Sequence, residues 1–145
     1  MAESLTYPFS QQQIEAQTRD NLNALILATL AYARSQGDDG RRWTAFVGKV
    51  FAPGWAPGMS PHEAALAAAL NCASAGMRVD AVVGDEARGE AVTGDWPGRE
   101  NLEFFALSQA EADQFWTVFE PIAQALGLTF SWRREGDQLH FIFTK

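Results

Sequence analysis

His62, His140 and Cys72 are the chain's two histidines and its single cysteine, and they stand far apart in the sequence. A zinc site asks for closely spaced Cys and His, so here it would need convergence in space with acids. In 60-SPHE-63, His62 falls in the first turn of a helix, where the dipole disfavours imidazolium and keeps a neutral base. The plainer reading is an exposed first-turn residue beside a Glu63 already used in capping. His140 sits on a strand among Leu139, Phe141 and Ile142. It is either a sheet-face residue with one hydrogen bond or a polar group pointing into an apolar cavity.

Asp80, Asp85, Glu86, Glu90 and Asp95 gather around one hairpin, and paired carboxylates do acid/base work when burial separates their pKa values. Turns also collect Asp and Glu for local reasons. Asp95, next to Trp96, is the acid best placed to be partly desolvated. A small acid/base enzyme would therefore use His62 or His140 with Asp95. Serine-hydrolase chemistry has no nucleophile elbow to support it. The stretch 84-GDEARG-89 is charged and followed by strand residues, so it is no phosphate loop, and no cofactor motif is found.

The surplus is aromatic: 5 Trp and 10 Phe exceed what a modest core needs. Either they build a large aromatic core or they wall a cavity for an apolar or aromatic small molecule, with the small residues of the third helix leaving the space. The candidate lining is Trp43, Phe46, Trp55, Met59, Trp96, Trp116 and Trp132, with His140 as a polar member. Trp55 lies between two Pro-Gly pairs in 53-PGWAPG-58. Those prolines stiffen the loop and lower the entropy lost in holding one indole at a rim, the alternative being a plain core plug. A non-catalytic binding or sensing domain is the leading expectation. The alternative is a protein-interaction module or homodimer that uses Trp55 and an apolar helix stripe.

The elements that must position these residues follow from caps and periodicity. Ser10 with Gln13 opens a helix whose apolar positions Ile14, Leu22, Leu25, Ile26, Leu30 and Ala33 run on to Gly37. After the 37-GDDG-40 turn, Trp43, Phe46, Val47, Val50 and Phe51 recur as one helical stripe. Ser60, Pro61 and Glu63 start a third helix, 64-AALAAALNCASA-75, made almost wholly of small residues. Val79, Val82 and Val83 pair with 90-EAVTGDW-96 as a hairpin. The run 102-LEFFAL-107 reads as a third strand, with a helical extension as its alternative. Ser108 and Glu111 open a helix that Pro121 must kink or restart. The segments 128-LTFSWRR-134 and 138-QLHFIFT-144 close the chain as a hairpin across 135-EGD-137. This order predicts one α+β domain over residues 1–145, an antiparallel sheet with helices mainly on one face.

That closing segment, 126-LGLTFSWRREGDQLHFIF-143, resembles the strand, Gly-Asp turn and strand of bacterial small-ligand domains of the vinyl-reductase type and of the thiazoline-carboxylate hydrolase family. The resemblance covers about an eighth of the chain and rests on a Gly-Asp hairpin. Those families often carry cysteines near it, whereas Leu139 and His140 follow Gly136-Asp137-Gln138 here. The resemblance thus implies a ligand domain of helices and antiparallel sheet, and it carries over no functional residue.

A formal charge of -7 disfavours nucleic acid and anionic membrane surfaces, since both need clustered cations and only the isolated pairs Arg41-Arg42 and Arg133-Arg134 occur. No apolar run approaches the roughly 20 residues of a spanning helix. MAESLTYPFSQQQ lacks the basic and apolar regions of a secretory signal, and a lone cysteine suits a reducing compartment, so a cytoplasmic protein is expected.

Overall fold

Capping chemistry sets where the helices begin. In the computed structural model, which describes residues 8–145, helix α1 runs Gln11–Ser35. The Gln13 backbone N–H donates to Ser10 Oγ (3.1 Å), and the Ser10 N–H donates to Gln13 Oε1 (2.8 Å). The same reciprocal pair opens α3 (Pro61–Ser74) through Ser60 and Glu63. Each box satisfies two of the donors that a helix start leaves without partners. The sequence reading of a missing secretory signal falls largely on residues 1–7, outside the described residues.

Helix α2 (Arg41–Phe51) starts at Gly40, whose φ of 86° suits glycine. Its buried residues are Thr44 and Gly48, the smallest on their face. Gly48 rests so closely on the Val118 carbonyl that a Cβ would stand 2.3 Å from that oxygen. Seating the helix on its small side turns much of the apolar stripe outward, leaving Phe46, Val50 and Phe51 66%, 57% and 60% exposed. A single 3₁₀ turn, Ala52–Gly54, follows before the Trp55 loop.

Strands β1 (Val79–Gly84), β2 (Arg88–Thr93), β3 (Thr129–Glu135) and β4 (Gln138–Thr144) form one antiparallel sheet in the order β1-β2-β4-β3. Pairing of Val82 with Ala91, Ala91 with Phe141 and Phe141 with Trp132 fixes one row across all four. Side chains alternate from that row, so Gly89, Ala91, Thr93, Leu139, Phe141 and Phe143 share the inner face. Glu90, His140, Ile142 and Arg133 share the outer one.

Helix α3 lies along the inner face with Ala64, Ala65, Ala68, Ala69 and Cys72 buried. A Cβ on Gly89 would come within 2.1 Å of the Pro61 carbonyl oxygen. Small residues on both sides bring the backbones together, and over this length they consume space rather than leave it.

The run 102–107 is not a strand. Residues Arg99–Phe105 form helix α4, with Leu102 and Phe105 spaced to pack on the core and Phe104 81% exposed. An i,i+4 pair between Arg99 and Glu103 (2.7 Å) runs along its outside. Helix α5 (Gln109–Asp113), opened by Ser108 and Glu111, passes into a 3₁₀ stretch, Gln114–Val118, and the chain restarts as α6 (Phe119–Ala125). Pro121 falls in the first turn of α6, where a missing N–H costs little. Phe119 of α6 packs its ring on Phe130, Phe141 and Phe143, so α6 covers the same inner face as α3. The fold is α+β with its helices on one side of the sheet. Among the described residues no helix is long and apolar enough to cross a membrane.

Candidate functional site

Where α3 ends, the close packing stops. Leu22 and Ile26 of α1, Val47 and Phe51 of α2, and Cys72, Ala75 and Met77 at the end of α3 surround a cavity of about 480 Å³. Its floor is aromatic: Trp96 meets Trp116 edge-on at 5.0 Å, and Phe115 and Phe119 complete it. Trp55 stands at the border, half-buried, with its ring edge-on to Phe119 at 6.1 Å. Half-exposed Leu22 and exposed Phe51 mark the open side.

Helix α1 buries Ile26, Leu27, Leu30 and Ala33 in the core, and polar contacts add to that packing beside the opening. Asn23 Nδ2–H donates to the Ala75 carbonyl (2.9 Å), and Trp96 Nε1–H donates to Asn23 Oδ1 (2.9 Å). Farther along, Arg34 donates to the Ala106 carbonyl and pairs with Glu111. Leu25, on the outward side of the helix, remains 67% exposed. On the opposite wall, α2 is held by Gly48 against Val118 and by the Thr44–Thr117 hydroxyl contact, which faces Val47 and Phe51 toward the opening.

The polar groups of the lining are nearly all spent. Asn23 is satisfied at both ends, Ser74 Oγ donates to the Asn71 carbonyl, and Asn71 Nδ2 donates to the Ala67 carbonyl. Burial pushes the Cys72 thiol up to about 12, leaving a neutral, unreactive group. Trp116 Nε1–H is different: it is buried and has no acceptor among the described residues. No charged side chain lines the cavity.

Of the residues proposed from sequence, the structure brings Trp55, Trp96 and Trp116 to this cavity. Trp43 stacks on Phe115 at 6.2 Å but lies outside the lining, and Phe46 points to solvent. Met59 borders a separate shallow cleft with Pro57, Glu63 and Leu66. Trp132 is half-buried on β3, and His140 lies on the outer sheet face. Asn23 and Met77 are lining residues that sequence reasoning passed over. The available signal was Asn23, a polar residue beside Leu22 within the apolar stripe of α1.

His140 belongs to a charged cluster. Its Nδ1 donates to Glu90 Oε1 (2.6 Å), Arg88 donates to Glu90 Oε2 (2.6 Å), and Arg133 stands 3.4 Å from Oε1. Burial raises the Glu90 carboxyl, but the His140 and Arg88 hydrogen bonds and the charges of Arg88 and Arg133 outweigh it and hold the group below its ordinary range. A carboxylate on Nδ1 can present Nε2 as a base. Here Nε2 is shut off from solvent without a hydrogen bond, 3.4 Å from Glu135. Asp95 is taken up by Arg134, which also holds Asp113 and the Trp96 carbonyl. Neither histidine hydrogen-bonds Asp95, and among the described residues no group of three His, Cys, Asp or Glu could hold a metal ion. No family model, curated protein or solved structure matches this chain.

Proposed function

We propose that the chain is a non-catalytic binding or sensing domain for an apolar or aromatic small molecule. The observation that carries this reading is the cavity of about 480 Å³ with an aromatic floor and no charged lining. Its size falls within the roughly 300–1,000 Å³ typical of small-molecule sites. Trp55, Trp96 and Trp116 at the cavity make intrinsic fluorescence a direct reporter. The buried free thiol of Cys72 fits a cytoplasmic setting.

Titration with naphthalene, biphenyl and anilinonaphthalene sulfonate, followed by Trp fluorescence and thermal melting, tests the reading. At least one apolar probe is expected to quench or shift the emission and to raise the melting temperature in proportion to ligand excess. A flat response to every probe would remove it.

The exposed stripe Phe46, Val50 and Phe51 favours a second reading, in which a second copy of the chain covers α2. Light scattering and melting at two widely separated protein concentrations decide it. A monomeric mass and an unchanged melting temperature at both concentrations would end the homodimer.

A further inference from the structure

From the polar inventory of the cavity we infer that its ligand is an uncharged molecule carrying a hydrogen-bond acceptor, such as a ketone, ester or quinone carbonyl, and that Trp116 Nε1–H is the group that recognises it. This rests on the binding reading proposed above. Trp96 and Asn23 answer each other, and Ser74 is bonded within its own helix, so none is the free donor. Trp116 retains an N–H with no acceptor, in a ring wedged between Trp96, Phe115 and Phe141. A buried donor without a partner is a standing cost that a ligand oxygen can remove. The N–H is covered by its neighbours in this structure, and the proposed recognition includes a tilt of the indole that brings it to the ligand.

Charge narrows the class. A carboxylate entering this cavity would lose its hydration and meet no Lys or Arg in the lining. A saturated or purely aromatic hydrocarbon would fill the space but leave the indole donor unanswered. A neutral carbonyl compound satisfies both conditions.

Three probes of nearly equal shape separate these cases: acetylnaphthalene, ethylnaphthalene and naphthoate. With the native chain, acetylnaphthalene should bind about tenfold more tightly than ethylnaphthalene, the scale of one net buried hydrogen bond, and naphthoate should bind most weakly. In Trp116→Phe, which keeps an aromatic ring but has no N–H, the ratio of ketone to hydrocarbon affinity should fall to about one, whatever the smaller ring does to the binding of both. The Trp116 indole proton resonance of the native chain should move downfield with acetylnaphthalene and not with ethylnaphthalene. That signal decides the matter even where Trp116→Phe does not fold. Equal binding of ketone and hydrocarbon, an unmoved indole resonance, or a ketone preference that survives Trp116→Phe overturns the inference and leaves the binding reading standing. Failure of all three probes to bind overturns both.

Discussion

Helices α3 and α1 both present apolar stripes to the same body of the molecule, and they meet it in opposite ways. Where α3 starts, Pro61 and His62 lie so close to Gly89 of β2 that no side chain fits between the two backbones, and the alanines that follow are buried on the same face. Along α1 the buried residues Ile26, Leu27 and Leu30 are large, and Leu22, Asn23 and Ile26 border the opening toward α2 and the end of α3. Small side chains therefore close the fold where α3 starts, while bulkier ones border an opening where α1 faces the end of α3. Packing density inside a protein is normally close to that of an organic crystal, so a persistent apolar gap beside such a tight seam is a local property and not a loose fold.

The sharpest way to break this comparison is to insert volume into the tight seam. Gly89→Val would place a Cβ on the Pro61 carbonyl, a backbone atom that cannot swing aside. Overpacking of this kind should cost about 3 kcal/mol, read as a lower urea midpoint with little change in slope. A variant as stable as the native chain would show that α3 is free to move off the sheet, and the contrast with α1 would disappear.

The tight seam was more legible in the sequence than the gap. Capping boxes are written within four residues, so Ser10–Gln13, Ser60–Glu63 and Ser108–Glu111 could be read directly and mark helix starts as expected. An alanine-rich helix likewise announces close approach. The strand expected at 102–107 fails because a short apolar run has no decisive period, and Leu102 with Phe105 satisfies helical spacing equally well. The stripe of α2 was visible, but periodicity shows which residues align and not which face a neighbour takes. Gly48 against Val118 settles that, and no local pattern announces it. The cavity was legible through its rings Trp55, Trp96 and Trp116 and illegible through Asn23, whose partners Ala75 and Trp96 lie in distant segments.

A middle-sized effect sharpens the comparison from the other side of the same strand. Glu90 sits between Gly89 and Ala91 but faces outward, where His140 and Arg88 bond it. Its folded pKa is depressed, so its contribution is fully present above the ordinary glutamate range and is lost as pH falls through the lower folded value. Glu90→Gln should cost about 2 kcal/mol at neutral pH, the scale of hydrogen bonds to a charged group, and should make the acid limb of the stability curve shallower. Far-UV dichroism and Trp fluorescence should report the same acid midpoint, because sheet, α3 and cavity floor belong to one cooperative unit. An acid limb in Glu90→Gln as steep as the native one would remove Glu90 from the account of sheet stability.

The smallest expected effect on stability lies at the open end of α3. Ser74 is exposed, borders the cavity, and spends its hydroxyl on the Asn71 carbonyl of its own helix. Ser74→Leu adds three carbon atoms where there is room for them, improves helix propensity in the last turn, and removes only one local hydrogen bond. Its unfolding free energy should stay within about 0.5 kcal/mol of the native chain, the range of surface substitutions away from packed features. Binding should respond in the opposite sense, since the leucine occupies part of the volume a ligand would take, and affinity for acetylnaphthalene should fall by about tenfold or more. A variant that is stable and binds undiminished would move the ligand site elsewhere, and one destabilised as strongly as Gly89→Val would mean that the two ends of α3 are packed alike.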